Sequence, residues 1–151
     1  MAARAVYVTG FGDVFTPIGL PRLHAVLANP REPLATAAVY KQFDALNGGT
    51  AFAPASAPDW KAPEQVWAGV KTIGNELYPA ALALLPRASE LYHNIVTDQR
   101  ARCSSLSGSG ATYFALTESK TDALSLGADI GWLHPECWVR ECVLDAAAPA
   151  R

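Results

Sequence analysis

Five consecutive small residues, Ser107-Gly108-Ser109-Gly110-Ala111, separate two apolar stretches, residues 101–106 and 112–116. The chain can turn here with φ > 0 and approach a neighbour or ligand more closely than larger side chains would permit. The expected unit is strand, glycine turn, strand. Free N–H groups and two hydroxyls in such a turn can meet phosphate oxygens, although a tight structural turn satisfies the spacing equally well. The run is not G-x-G-x-x-G, because Tyr113 takes the third glycine's place, nor is it G-x-x-x-x-G-K-[ST].

Around this turn the periodicity alternates between two and three to four. Residues 5–9 read as a strand, residues 10–13 as a turn that includes Asp13, and residues 14–16 as a second extended piece before Pro17. Residues 22–28 are almost continuously apolar, as in a strand buried on both faces, and Asn29-Pro30 ends them. Thr36 is placed to N-cap a helix over residues 37–46. Residues 48–58 read as a mobile loop rich in Gly, Ala, Pro and Ser. Pro63 opens a helix carrying Val66, Trp67, Val70 and Ile73. Asn75 is a candidate cap for the next, where Pro79 fits poorly. Ala88, Leu91, Tyr92 and Ile95 mark the clearest amphipathic helix, with Pro86 at its start. Ser119 and Asp122 resemble a capping box for a helix to about residue 128, and residues 138–144 close the fold as a strand. The expected fold is α+β, with helices packed on one face of a mainly antiparallel sheet.

The 151 residues carry 12 Lys+Arg against 14 Asp+Glu, half are hydrophobic and 17% are charged. That balance describes a globular domain with a real core and disfavours nucleic acid as a partner. No apolar stretch reaches the roughly 18 residues of a membrane span, and residues 1–7 do not read as a signal peptide. A cytoplasmic location is expected. Cys103, Cys137 and Cys142 are an odd count without C-x-x-C spacing or a zinc-like histidine offset, so reduced thiols and no metal site are expected. His24 reads as a satisfied core or edge residue, and His93 and His134 as solvated. Asp122 and Asp129 fall on a surface helix.

With its flanks, the glycine turn (Leu-Ser-Gly-Ser-Gly-Ala-Thr-Tyr-Phe-Ala-Leu, residues 106–116) resembles the C-terminal glycine-rich motif of the kinases named for galactokinase, homoserine kinase, mevalonate kinase and phosphomevalonate kinase. Within them it is most similar to the 4-diphosphocytidyl-2-C-methyl-D-erythritol kinase family. Further landmarks follow in the same order: Gly12-Asp13-Val14-Phe15-Thr16-Pro17, the strand ending at Asn29-Pro30, Ala35-Thr36-Ala37-Ala38-Val39-Tyr40, and Asn75-Glu76-Leu77. The resemblance implies a kinase of non-mevalonate isoprenoid biosynthesis. It would use ATP with Mg to phosphorylate the 2-hydroxyl of the cytidyl-methylerythritol substrate, by positioning and charge stabilisation. Tyr40 matches the aromatic that stacks on cytosine, a contact worth roughly 1–3 kcal/mol; an aromatic packed on the core is the alternative. Thr36 would lie at the pocket wall, and Ser107, Gly108, Ser109, Gly110 and Ala111 would form the active-site loop.

The departures from the family pattern bound this expectation. The Gly-Leu-Gly-Gly-Gly-Ser-Ser-like phosphate loop is absent, as are the catalytic Asp and the N-terminal Lys. No catalytic residue is therefore assigned. The expected organisation is a hairpin at residues 1–21 left from a junction with an N-terminal domain, a kinase-like C-terminal domain at 22–145, and a disordered tail at 146–151. Such a chain would be inactive alone, would bind no ATP tightly, and would act with a separate N-terminal half or self-associate. The alternative is a non-catalytic module that binds a small ligand or a partner protein.

Overall fold

The computed structural model describes residues 5–10, 12–47 and 56–144; most of the expected loop at 48–58 and the expected tail lie outside the described residues. Strands β1 (Val6–Thr9) and β2 (Val14–Pro17) form a separate two-stranded antiparallel sheet, with Asp13 in the turn between them. The main sheet contains β3 (Leu23–Asn29), β4 (Ala101–Leu106), β5 (Tyr113–Thr117) and β6 (Trp138–Leu144), in the order β4-β5-β3-β6. Every pairing is antiparallel, with Ala25 opposite Leu116 on one side and Cys142 on the other.

The near-continuous apolar run of β3 follows from its central place, because successive side chains point to opposite faces. Val26 and Ala28 join Leu106, Tyr113 and Ala115 on one face. Against that face pack α1 (Thr36–Asn47), α3 (Tyr78–Leu84), α4 (Ala88–Val96) and α5 (Lys120–Leu133), through Val39, Ala81, Leu91, Ile95, Leu126 and Ile130. This is the expected helical layer. Leu23, Ala25, Cys103 and Leu116 face the other way, where Val66, Trp67 and Val70 of α2 (Pro63–Ile73) cover part of the sheet.

Three helix starts differ from expectation. Thr36 is itself the first helical residue, and the Ala35 carbonyl accepts from Val39 N–H at 3.1 Å, so the threonine hydroxyl is free for another task. Helix α3 begins at Tyr78, which puts Pro79 in the first turn where a missing N–H is harmless. Helix α4 begins at Ala88, with Arg87 at the N-cap position making no side-chain cap, so Pro86 precedes the helix. Ser119 does cap α5, accepting from Asp122 N–H at 3.1 Å. That helix runs five residues past the expected end, held by the buried Leu126 and Ile130. At Gly127 the helix lies close to β6, and the Glu141 side chain occupies the space beside it. No helix among the described residues is long and apolar enough to cross a membrane.

Candidate functional site

The glycine turn joins β4 to β5 and is closed by Ser107 N–H donating to Thr112 O at 2.8 Å and Gly110 N–H to Ser107 O at 3.0 Å. Gly108 and Gly110 have φ of 57° and 94°, a region that disfavours any side chain. At Gly110 the space is limiting too: a Cβ would lie 3.0 Å from Leu34 and 3.1 Å from Leu106. Among the described residues, the N–H groups of Gly108, Ser109 and Ala111 have no backbone acceptor, so the turn keeps donors for an anion.

Two asparagines fix the turn in place. Asn75 Nδ2 donates to Leu106 O at 2.9 Å and to Gly108 O at 2.8 Å, while its Oδ1 accepts from Leu77 N–H at 2.9 Å. Asn75 therefore does not cap a helix; it ties the chain before α3 to the turn. Asn29 Nδ2 donates to Thr112 Oγ1 at 2.9 Å from the end of β3. Neither role is visible in sequence, because the partners lie 31, 33 and 83 residues away; the only local signal is an Asn at each element boundary.

The first turn of α1 meets this loop. The Thr36 and Ser109 hydroxyls are hydrogen-bonded at 2.9 Å. Tyr40 lies four residues on from Thr36, hence on the same helical face, and its side chain is 52% exposed. It is available for a ligand and is not an element of the core. Tyr113 opens β5 just after the loop, and in the core three tyrosine rings meet: Tyr78 and Tyr92 tilted at 4.8 Å between centroids, Tyr92 and Tyr113 tilted at 5.1 Å, and Tyr78 and Tyr113 edge-on at 6.5 Å. Burial, helped by the neighbouring phenols, pushes Tyr113 up to about 12 and raises Tyr78. These rings belong to the main core cluster, a grouping that the local sequence pattern does not reveal.

Thr36, Tyr40 and residues 107–111 thus supply hydroxyls, N–H donors and one exposed ring. They contain no carboxylate to hold Mg2+ and no base. The histidines do not join them. His93 is exposed as expected, whereas His134 is buried, with Nε2 at 2.9 Å from Asn94 Nδ2. His24 Nδ1 is buried without a hydrogen-bond partner among the described residues, so that residue is not the satisfied histidine anticipated. All three cysteines are free, and burial raises each thiol, to about 11 for Cys103 and Cys137.

No protein-family model matches the chain. Among curated proteins it is 34% identical to 4-diphosphocytidyl-2-C-methyl-D-erythritol kinase of Caulobacter sp. (strain K31), over 92% of this chain and 48% of the relative. It is 36% identical to the enzyme of that name from Bradyrhizobium sp. (strain BTAi1 / ATCC BAA-1182), over 91% and 48%. The chain spans about half the length of the curated relatives it matches. Among solved structures, a 4-(cytidine 5'-diphospho)-2C-methyl-D-erythritol kinase superposes with a TM-score of 0.66 at 22% identity, over 91% of this chain and 49% of that one. A homoserine kinase from Cytophaga hutchinsonii superposes at 0.56 and 20%, over 93% and 48%, and a mevalonate kinase from L. major at 0.58 and 16%, over 95% and 49%. The fold is that of these kinases, and the sequence is similar to the C-terminal half of 4-diphosphocytidyl-2-C-methyl-D-erythritol kinases.

Proposed function

We propose that this chain is the substrate-side half of an ATP-dependent kinase that phosphorylates the 2-hydroxyl of 4-diphosphocytidyl-2-C-methyl-D-erythritol in isoprenoid biosynthesis. The observation that carries the reading is the Thr36–Ser109 hydrogen bond, which joins the glycine turn to the helix face bearing the exposed Tyr40. In this reading Tyr40 stacks on the cytosine and Thr36 lines the pocket. In the loop of Ser107, Gly108, Ser109, Gly110 and Ala111, the N–H groups of Gly108, Ser109 and Ala111 and the two serine hydroxyls meet phosphate oxygens, while the Ser107 and Gly110 N–H groups hold the turn closed. The asparagine clamps keep that donor array preformed, so little ordering entropy is lost on binding. ATP and Mg2+ supply the phosphoryl group and its charge neutralisation, and the residues that hold them belong to an N-terminal half.

On its own the chain binds ATP weakly and does not turn over. The hairpin at residues 5–17 then serves as the junction. Its Val6, Val8, Val14 and Phe15 are 40–61% exposed, an apolar surface suited to being covered by that half or, in its absence, by a second copy. Self-association is the expected state of the isolated chain, and a cytoplasmic location follows from the pathway.

Titration of the isotopically labelled chain with the cytidyl substrate tests the site. Amide and ring shifts are expected at Thr36, Tyr40 and residues 107–111, and they should weaken in Tyr40→Ala and persist in Tyr40→Phe. Shifts confined to another surface would favour the alternative, a non-catalytic module for a different ligand.

A further inference from the structure

The corner between α5 and β6 carries a cluster that the proposed kinase site does not use. After Leu133 the chain passes through His134-Pro135-Glu136-Cys137 into Trp138. Cys137 N–H donates to His134 O at 2.9 Å, closing a tight turn. His134 and Cys137 are 7% and 8% exposed, whereas the Glu136 side chain is 66% exposed and free to adjust. With Nε2 of His134 held by Asn94, the other ring nitrogen, Nδ1, faces Glu136 Oε1 at 3.6 Å. Cys137 Sγ lies 3.5 Å from the same oxygen. The three ligand atoms are all within 4.8 Å of one another.

These are coordination distances in waiting. A tetrahedral ion bound at about 2.0–2.2 Å to nitrogen or oxygen and about 2.3 Å to sulfur has ligand–ligand edges of about 3.3–3.8 Å. The 3.6 Å and 3.5 Å separations already fall on two such edges. We propose that His134 Nδ1, a Glu136 carboxylate oxygen and Cys137 Sγ bind a single divalent ion of the zinc class, with a fourth position left to water. The mixed nitrogen, oxygen and sulfur set selects Zn2+ or Co2+ over Mg2+ and Ca2+, which prefer oxygen alone. On binding, the Cys137 thiol proton leaves to solvent and the His134 proton resides on Nε2. The Asn94 amide turns to accept it through Oδ1, the outer contact a ligating histidine ordinarily makes. The ion would brace the start of β6, where Trp138 pairs with Asn29, the residue that anchors Thr112.

The test is a Co2+ titration of the full chain, reduced and stripped with a chelator. The expected result is saturation at one ion per chain, with a thiolate-to-cobalt charge-transfer band in the near ultraviolet and displacement by Zn2+. Cys137→Ser should abolish the band and Cys142→Ser should retain it. Because Cys137 is buried, Glu136→Gln provides a variant at an exposed position. It should weaken Co2+ binding by at least about tenfold, the size a lost outer partner already produces, with the circular dichroism of the metal-free chain unchanged. Absence of the band at millimolar Co2+, its survival in Cys137→Ser, or an unaltered titration in Glu136→Gln would overturn the proposal.

Discussion

Two hairpins in this chain turn on glycine and end in opposite environments. The β4–β5 hairpin lies within the main sheet, with Tyr113, Ala115, Leu116 and Thr117 all buried, and its turn is tied down by Asn29, Asn75 and Thr36. The β1–β2 hairpin pairs over four residues on each strand and stays outside that sheet, with no residue of either strand buried. Both show similar turn chemistry. What separates them is what covers the strands, since an isolated two-stranded hairpin is marginal in water. The β4–β5 hairpin is covered by the helices of this chain, and the β1–β2 hairpin leaves Val6, Val8, Val14 and Phe15 exposed.

The sharpest way to break the contrast is to remove one ring from each hairpin. Tyr113→Ala should destabilise the chain by about 3–5 kcal/mol in chemical denaturation, because a buried aromatic and its two ring contacts disappear. Phe15→Ala should change stability by less than about 0.5 kcal/mol, as expected for an exposed residue, while reducing self-association in sedimentation. Gly110→Ala comes next, at about 1–3 kcal/mol, since it forces a side chain into positive φ against Leu34 and Leu106. Asn75→Ala should cost about 1–3 kcal/mol by leaving two carbonyls without their donor. Amide exchange should accelerate over residues 107–112 and stay unaltered over residues 6–17.

The smallest effect lies far from both turns. Arg100 hydrogen-bonds Asp98 and pairs with Asp129 at 2.7 Å, and its guanidinium holds the Asp98 carboxyl below the usual range despite partial burial. A depressed folded-state value stabilises the chain above the ordinary aspartate range, and that gain is lost as the pH falls through the depressed value. Asp98→Asn should therefore flatten the acid limb of a thermal stability profile by no more than about 1 kcal/mol.

Sequence reading reached the elements and the turn but not what holds the turn. Alternation, proline and glycine located the six strands and five helices of the described residues, with the end of α5 missed by five residues, because those signals are local. The buried run of β3 told its central position. Local reading misplaced Thr36 and Asn75, since a hydroxyl or amide at a helix start satisfies the capping pattern whether or not it caps. Here each instead meets the turn, 73 residues away for Thr36 and 31 to 33 for Asn75. His134 looked solvated beside Pro135, and only the packing of α4 on α5 buries it against Asn94. Tyr40 was singled out by resemblance alone, with a core-packed aromatic as the alternative; its exposure is visible only in the fold.

The most direct measurement of the central claim is complementation. The chain is mixed with a separately produced N-terminal half of the Caulobacter relative, and phosphorylation of 4-diphosphocytidyl-2-C-methyl-D-erythritol by ATP is followed. Turnover is expected in the mixture and none from either half, with Tyr40→Ala lowering kcat/KM by about 5–150-fold, the loss of a stacking contact of roughly 1–3 kcal/mol. Turnover by the chain alone, or a stable complex of the two halves that binds ATP and substrate yet transfers no phosphoryl group, would contradict it.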